Sequence, residues 1–281
     1  MNNFKTITEW YNTASVKFEI IKFLRNREMA LLVPSWIKDK ETRIRCIRML
    51  KCHSVQHYDY ILNKGLRIFE KQTPYNFYYS LAKYKDGIPN QTFNLWEKKK
   101  NNLSWNEIHF NRMVAYDFLI DIDAGSHEDI YFAFDSTKLI KAYFDMLNVP
   151  YELRFSGMGF HFIIPYLYLP YHSMIPKADS NLYWFLCLIA KKLKAKFSEM
   201  IDVNIYDSRR VCKIPYSLGI YENGLYVCYP FATSDEFEKF RLRDYVPSNF
   251  DVDIIRGKNR KVFNDCGSIY SLCKDLGVLN G

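Results

Sequence analysis

The chain has 281 residues, 48% of them hydrophobic and 25% charged, which is an ordinary composition for a globular protein with a buried core. It has no run of about 18 uncharged apolar residues and begins with polar and charged side chains, so we expect no membrane span, no secretory signal and a cytoplasmic location. Lysine and arginine outnumber aspartate and glutamate by 39 to 31, and the net charge of +8 would attract a polyanion such as a nucleic acid or nucleotide.

The length predicts either one enlarged domain, over residues 1–281, or a core with a small satellite. Seven scattered cysteines favour reduced thiols over a disulfide framework. One group contains both cysteine and histidine, but its spacing on an apparently helical stretch is poor for zinc. We therefore expect no zinc site at Cys46, Cys52, His53 and His57.

The first part of the chain is predicted to be helical from about Phe18 to Gly65, because apolar residues recur there at three- and four-residue spacing. The aromatic segment at 74–90 ends in glycine and proline, which indicates a strand followed by a turn. The lysine-rich segment at 96–107 has no clear periodicity and is expected to be an exposed loop beside the core.

The segment VAYDFLIDID at 114–123 is almost continuously apolar before its acidic end, which is typical of a buried strand. A helix is predicted to follow at 129–147, with Ser126 as a possible cap in front of it. The segments 151–157 and 160–169 are then predicted to be two further strands.

A second helix is predicted at 181–200, where apolar residues share one face and a lysine cluster lies elsewhere. Strands are predicted at 201–207 and at 225–231, the second after a turn at Asn223 and Gly224. The tail after about residue 235 has no clear pattern, and we assign it no role. Together these elements predict a mixed α+β fold with a central sheet.

Two carboxylates, Asp121 and Asp123, lie at the end of the buried strand at 114–123. In an extended chain residues two apart project from the same face, so both side chains can converge on one hard divalent cation or on a pair of them. Asp117 lies deeper in the apolar run and is not expected to be a ligand. An ordinary strand-to-loop transition, with aspartate as a turn or cap residue, would explain the same pattern.

The segment RFSGMGFH contains two glycines between extended stretches, and these allow the backbone to turn tightly and approach a ligand. The Ser156 hydroxyl, the backbone N–H groups of the turn, His161 and Arg154 are donors suited to a polyphosphate. The turn residues Gly157 and Gly159 are therefore part of a predicted triphosphate site. The alternative is a β-hairpin in which these residues only turn the chain and the histidine belongs to the core.

A third group begins at Asp202, which stands between apolar residues and is followed by cations, among them Arg210 and Lys213. This acid could complete a metal site while the cations neutralise phosphate oxygens. A surface strand of mixed charge is the alternative interpretation.

In this order and at these distances, the three groups resemble the archaeo-eukaryotic primase superfamily. Its members have a strand with two aspartates separated by a hydrophobic residue, an SGxxGxH-like turn, and a later hydrophobic-Asp motif leading into R-x-x-[RK]-x-P-x-S-L. The match covers residues 116–218. It implies metal binding by Asp121, Asp123 and Asp202, and nucleoside triphosphate contacts by Ser156, His161, Arg210 and Lys213.

The resemblance also has departures. The turn has one residue fewer between Ser156 and His161 than cellular primase small subunits usually have, and Gly219 occupies the position where the family has a histidine. These differences are typical of a divergent member, such as a plasmid, viral or CRISPR-associated primase-polymerase.

The resemblance implies a single primase-polymerase domain whose catalytic core, at about residues 75–235, has a central sheet and helical N-terminal decoration. The implied activity is DNA-dependent synthesis of primers on a single-stranded DNA template from NTPs or dNTPs, with two Mg²⁺ or Mn²⁺ ions as cofactors. A primase large subunit or a helicase is a candidate partner. The alternatives are a metal-dependent nuclease or phosphohydrolase, and a non-catalytic nucleic-acid-binding primase subunit.

Overall fold

The computed structural model describes most of the chain, and the architecture below refers to its described residues. These residues are 4–33, 46–68, 76–85, 113–169, 181–255 and 261–279. Among them, no helix is both long enough and apolar enough to cross a membrane.

Helices and strands are mixed along the chain. In order, the strands are β1 (Arg27–Leu32), β2 (Cys46–Lys51), β3 (Asn76–Tyr84), β4 (Met113–Tyr116), β5 (Phe118–Asp123), β6 (Glu152–Phe155), β7 (Gly159–Ile164), β8 (Val211–Lys213), β9 (Leu218–Tyr221), β10 (Gly224–Val227) and β11 (Tyr229–Pro230). The α-helices are α1 (Phe4–Asn12), α2 (Ala14–Phe23), α3 (Val55–Ile68), α4 (Ile130–Met146), α5 (Asn181–Phe197), α6 (Ser234–Glu238) and α7 (Tyr270–Asp275). The predicted α+β class is confirmed.

Two antiparallel sheets form the centre of the structure. The first has the order β2-β1-β3-β4, and β8 pairs with β3 beside β4. The second has the order β11-β6-β7-β5, and β9 and β10 form a separate hairpin. The buried side chains of both sheets and of the surrounding helices belong to one hydrophobic cluster, which extends from Ile7 to Leu276.

The chain passes from the first sheet to the second at Asp117, so the predicted single strand at 114–123 is two strands, β4 and β5. The Asp117 N–H donates to the Leu81 carbonyl, and its carboxylate lies 2.5 Å from Nη2 of Arg27. Both side chains of this ion pair are buried, and the carboxylate also accepts the N–H of Tyr166. A buried charge requires such partners, and they hold Asp117 away from Asp121 and Asp123.

The predicted helix from Phe18 to Gly65 is wrong over 27–32 and 46–51, which form strands of the first sheet. β1 lies inside that sheet, and its residues are buried on both faces except at the last position. A strand covered on both faces has a continuous apolar sequence, so apolar spacing alone cannot distinguish it from a helix. The N-terminal part therefore contributes two strands to the first sheet as well as helices.

The predicted helices at 129–147 and 181–200 are confirmed as α4 and α5, and the strands at 151–157 and 160–169 as β6 and β7. β7 ends at Ile164, and a short 3-10 helix follows it at Tyr166–Tyr168. The Ser126 hydroxyl accepts the N–H of Asp129 in the turn before α4. The strand at 74–90 is confirmed as β3, whereas its following turn and the loop at 96–107 lie outside the described residues.

Two predictions near the end of the motif region need correction. The segment 201–207 is not a strand, since only Ile201 forms a bridge, to Ile122 of β5. The segment 225–231 contributes to two short strands, β10 and β11, that belong to different sheets. The turn near Asn223 is confirmed, because β9 and β10 pair across it.

The C-terminal tail packs on the second sheet through aromatic side chains. The Phe240 ring lies 5.0 Å from that of Phe155 and 5.1 Å from that of Phe160, centroid to centroid. Further along, Phe263 forms a bridge with Tyr151 and stacks on it at 5.1 Å. Aromatic pairs at these separations add to the stability gained from burial, so the tail covers an otherwise exposed face.

Candidate active site

A cavity of about 330 Å³ lies between the two sheets, where β5, β7, β8 and β9 approach one another. Five of the predicted site residues line it: Asp121, Asp123, Ser156, His161 and Lys213. The remaining wall is largely apolar and aromatic, with contributions from β1, β3 and β9. A concave apolar site with a few convergent polar groups is typical of a small-ligand pocket.

Asp121 and His161 are paired across the second sheet. They are direct neighbours in the β5–β7 register, and His161 Nε2 lies 3.3 Å from Asp121 Oδ1. His161 Nδ1 lies 3.2 Å from the Cys212 sulfur on β8. Burial lowers the pKa of His161, but Cys212 and the Asp121 carboxylate outweigh burial and raise that pKa to about 10. His161 is therefore a cation at neutral pH.

Asp123 lies two residues beyond Asp121 on β5 and projects from the same face of the sheet. It is exposed, whereas Asp121 is partly buried. One of its carboxylate oxygens accepts the N–H of Gly125 at 3.0 Å, which fixes the side chain at the strand end. The two carboxylates are thus presented side by side to the cavity, as the sequence spacing predicted.

Asp202 approaches Asp121 through the backbone. Its N–H donates to the Asp121 carbonyl at 2.9 Å, next to the bridge between Ile201 and Ile122. Its carboxylate accepts the N–H of Asn204 at 2.8 Å. The segment after the bridge therefore brings a third acid to the edge of β5, although this residue is not part of the cavity wall.

The carboxylates have the donor chemistry that Mg²⁺ and Mn²⁺ prefer. Asp121 and Asp123 fit such an ion because they share a face and open onto the same cavity. In the part of the chain that the structure describes, no group of three or more His, Cys, Asp or Glu side chains is arranged to hold a metal ion. The two cavity carboxylates are a pair and do not form such a group.

The turn at residues 156–159 joins β6 to β7 beside the carboxylates. Gly157 has a φ of +102°, a conformation that favours glycine, and the Ser156 N–H donates to the Gly159 carbonyl at 2.9 Å. A Cβ on Gly159 would lie 2.0 Å from the Ile122 carbonyl oxygen, so β5 and β7 can approach this closely only with glycine there. The sequence expectation of a tight glycine turn is confirmed.

Lys213 reaches this turn from β8. Its Nζ donates to the Ser156 carbonyl at 3.1 Å and to the Tyr221 hydroxyl. Burial lowers the pKa of Lys213 to about 8, because desolvation disfavours its charged form more than the neighbouring carboxylates favour it. The ammonium group remains mostly charged at pH 7 and lies close to the predicted phosphate site.

Two predicted nucleotide contacts have protein partners instead. Arg154 is fully buried, and its guanidinium lies 2.5 Å from Glu152 and donates to the Tyr79 hydroxyl at 3.0 Å. Arg210 pairs with Asp207 at 2.8 Å. Neither residue lines the cavity, and their contact with nucleotide stays a prediction.

Several cavity residues were not expected from the sequence. They are Asn76 and Tyr78 on β3, Cys212 on β8, and Tyr221 on β9. Asn76 and Tyr221 lie in apolar or aromatic segments without a motif of their own, and the pairing of β8 with β3 sets Tyr78 opposite Lys213. For Cys212, the only indication in the sequence was its position directly before Lys213 in the third group.

The possible zinc residues have a different arrangement from the expected one. Cys46 is the first residue of β2, and Cys52 directly follows that strand and is buried. The rings of His53 and His57 lie 4.2 Å apart, centroid to centroid. The stretch that carries the two cysteines is thus a strand and the turn after it, and not a helix. The expectation that zinc is not bound there stays a prediction.

Comparisons with known proteins give no family assignment: no protein-family model matches the sequence, and no curated protein matches it.

Proposed function

We propose that the protein is a template-directed nucleotidyltransferase of the primase-polymerase type. One observation carries the proposal: two carboxylates, a glycine turn, a histidine and a lysine meet at one cavity. These groups can hold a nucleoside triphosphate and balance the charge that develops when its α-phosphorus is attacked. The sequence resemblance to the archaeo-eukaryotic primase superfamily points to the same reaction.

In this reaction a 3′-hydroxyl oxygen bonds to the α-phosphorus, the bond from that phosphorus to the bridging oxygen breaks, and pyrophosphate leaves. The hydroxyl proton passes to solvent. Asp121 and Asp123 would hold Mg²⁺ or Mn²⁺, with Asp202 as a further donor at the edge of β5. When bound, such ions lower the pKa of the attacking hydroxyl and neutralise the triphosphate.

The positive side chains would hold the triphosphate. His161 is protonated at neutral pH because of its raised pKa, so it acts as a donor and positive charge and not as a general base. Lys213 adds a second charge next to the Ser156 carbonyl. The Met158 N–H of the turn would complete the cradle.

The test is synthesis on single-stranded DNA with labelled NTPs or dNTPs and Mg²⁺ or Mn²⁺, with and without a primer. We expect Asp121→Asn and Asp123→Asn to reduce incorporation by about 100-fold or more, since each removes a metal ligand. Asp235→Asn is the matched control, because Asp235 is exposed and its carboxylate pairs, among the described residues, with Lys239 just after α6. Its incorporation should equal that of the wild type.

The outcomes separate the competing functions. Shortened DNA without any nucleoside triphosphate would favour the nuclease or phosphohydrolase. DNA binding without turnover under all conditions would favour the non-catalytic subunit. Full incorporation by Asp121→Asn or Asp123→Asn would show that the reaction does not take place at this cavity.

A further inference from the structure

The turn at residues 156–159 has all of its carbonyl groups engaged. Lys213 and Tyr221 donate to the Ser156 carbonyl, at 3.1 and 3.4 Å, and the Met158 carbonyl accepts the N–H of Ala124 at 3.1 Å. The Gly159 carbonyl accepts the N–H of Ser156. The Gly157 carbonyl lies 3.1 Å from Nε2 of His127.

Two N–H groups of the same turn are left over. Neither the Gly157 nor the Met158 N–H donates a hydrogen bond to any residue that the structure describes. In a planar trans peptide the N–H points opposite to the carbonyl. A carbonyl held by His127 therefore directs the Met158 N–H to the other side of the turn, and Met158 belongs to the cavity wall. The Gly157 N–H belongs to the peptide whose carbonyl Lys213 and Tyr221 hold, so it points away from those two cavity residues, and the Met158 N–H is the donor left for an anion.

His127 is well placed to fix this peptide. It lies in the loop between β5 and α4, and its ring centroid is 4.5 Å from that of Tyr226 and 5.3 Å from that of Tyr221. Burial and the charge of Lys213 lower the pKa of His127, so its ring is neutral at pH 7. A carbonyl oxygen can only accept, so the one ring proton must be on Nε2.

We propose that His127 is a positioning residue: through its Nε2–H bond to the Gly157 carbonyl it aims the Met158 amide at a polyphosphate in the cavity. The ring contacts with Tyr221 and Tyr226 hold the imidazole in place. They also connect the β9–β10 hairpin to the turn. The identity of the polyphosphate as that of a nucleotide rests on the proposed function, whereas the hydrogen bond itself does not.

The test uses two variants and two readouts. His127→Phe keeps an aromatic ring against Tyr226 but has no donor, and His127→Gln restores an amide donor at a similar reach. His53→Phe, an exposed histidine in the turn before α3, is the matched control. Binding of inorganic tripolyphosphate and of a single-stranded DNA oligonucleotide is measured by calorimetry for each full-length variant.

We expect His127→Phe to bind tripolyphosphate about 2- to 10-fold more weakly, as loss of one hydrogen bond implies, with unchanged affinity for DNA. His127→Gln should recover most of the loss and His53→Phe should show none. Equal weakening by His127→Phe and His127→Gln, or unchanged affinity in His127→Phe, overturns the proposal. Absence of tripolyphosphate binding in the wild type overturns it as well.

Nuclear magnetic resonance of the ring nitrogens gives a second, ligand-free readout. The wild type should show the Nε2–H tautomer of His127, and the Met158 amide resonance should shift in His127→Phe and return in His127→Gln. An Nδ1–H tautomer contradicts the proposal. If tripolyphosphate binds as expected but no template-directed synthesis occurs, the proposed function fails while the role of His127 stands.

Discussion

Gly159→Ala tests how closely the two central strands of the site must approach. A Cβ at this position would lie 2.0 Å from the Ile122 carbonyl oxygen, 3.0 Å from its carbonyl carbon and 3.1 Å from the Cα of Asp123. All three obstacles are backbone atoms of β5, so no side chain can rotate away. To bring the first contact to 3.0 Å, β5 and β7 must separate by about 1.0 Å, the difference between 3.0 and 2.0 Å.

Overpacking of a well-packed interior costs about 1–3 kcal/mol, and an obstacle made of backbone places this variant near the upper value. A loss of about 3 kcal/mol would lower the Tm by roughly 6–12 °C. Because the displaced atoms include those of Asp123, nucleotide incorporation should fall together with stability. Chemical denaturation and the synthesis assay measure the two effects.

Two other glycines provide controls. Gly125 and Gly277 have φ values of +71° and +63°, and a Cβ on either would meet no atom within 4 Å. Alanine there costs only the left-handed backbone strain, about 1–2 kcal/mol. Gly277→Ala should leave incorporation unchanged, since Gly277 does not line the cavity. If Gly159→Ala loses less stability than Gly125→Ala, the close approach of β5 and β7 is refuted.

Three further predictions concern charge. The pKa of His161 is raised from 6.5 to about 10 in the folded state, so its stabilising effect is complete below pH 6.5 and declines as pH rises toward 10. Without divalent metal, the free energy of unfolding should therefore fall more steeply between pH 6.5 and 8 in the wild type than in His161→Gln, and equal slopes would contradict the raised pKa. Arg27→Met leaves the buried Asp117 carboxylate without its partner and should lower the free energy of unfolding by about 3–5 kcal/mol. Adding Asp117→Asn should recover part of that loss, and unchanged stability in the single variant would contradict the buried pair. Affinity for single-stranded DNA should fall steeply with added salt and vary little with sequence, whereas salt-independent binding in a titration would contradict phosphate recognition.

Much of the candidate site could be predicted from the sequence because its polar residues belong to short, local patterns. The two carboxylates at Asp121 and Asp123 follow from residues two apart on a strand, and the turn follows from its two glycines. Asp202 was found as an acid between apolar residues, although its segment forms one bridge and no strand. Local spacing predicts which side chains share a face, but not whether a segment finds a pairing partner.

The residues that were missed or differently placed depend on long-range pairing. β1 was taken for helix because both of its faces are buried. Arg154 was expected at the phosphates, yet Glu152 lies two residues before it on β6 and occupies its guanidinium. Residues two apart on a strand share a face, so that ion pair was foreseeable. The contact of His127 with the Gly157 carbonyl had no sequence signal, since the two are 30 residues apart.

The most direct test of the central claim is a single-nucleotide incorporation assay on four primed templates that differ in one template base. Each reaction contains one labelled nucleotide and Mg²⁺ or Mn²⁺, and pyrophosphate is measured alongside the extended primer. We predict that only the nucleotide complementary to the template base is added, that one pyrophosphate forms per addition, and that Asp121→Asn abolishes both. Addition without regard to the template base, or extension that is unchanged in Asp121→Asn, would contradict template-directed nucleotidyl transfer at this cavity.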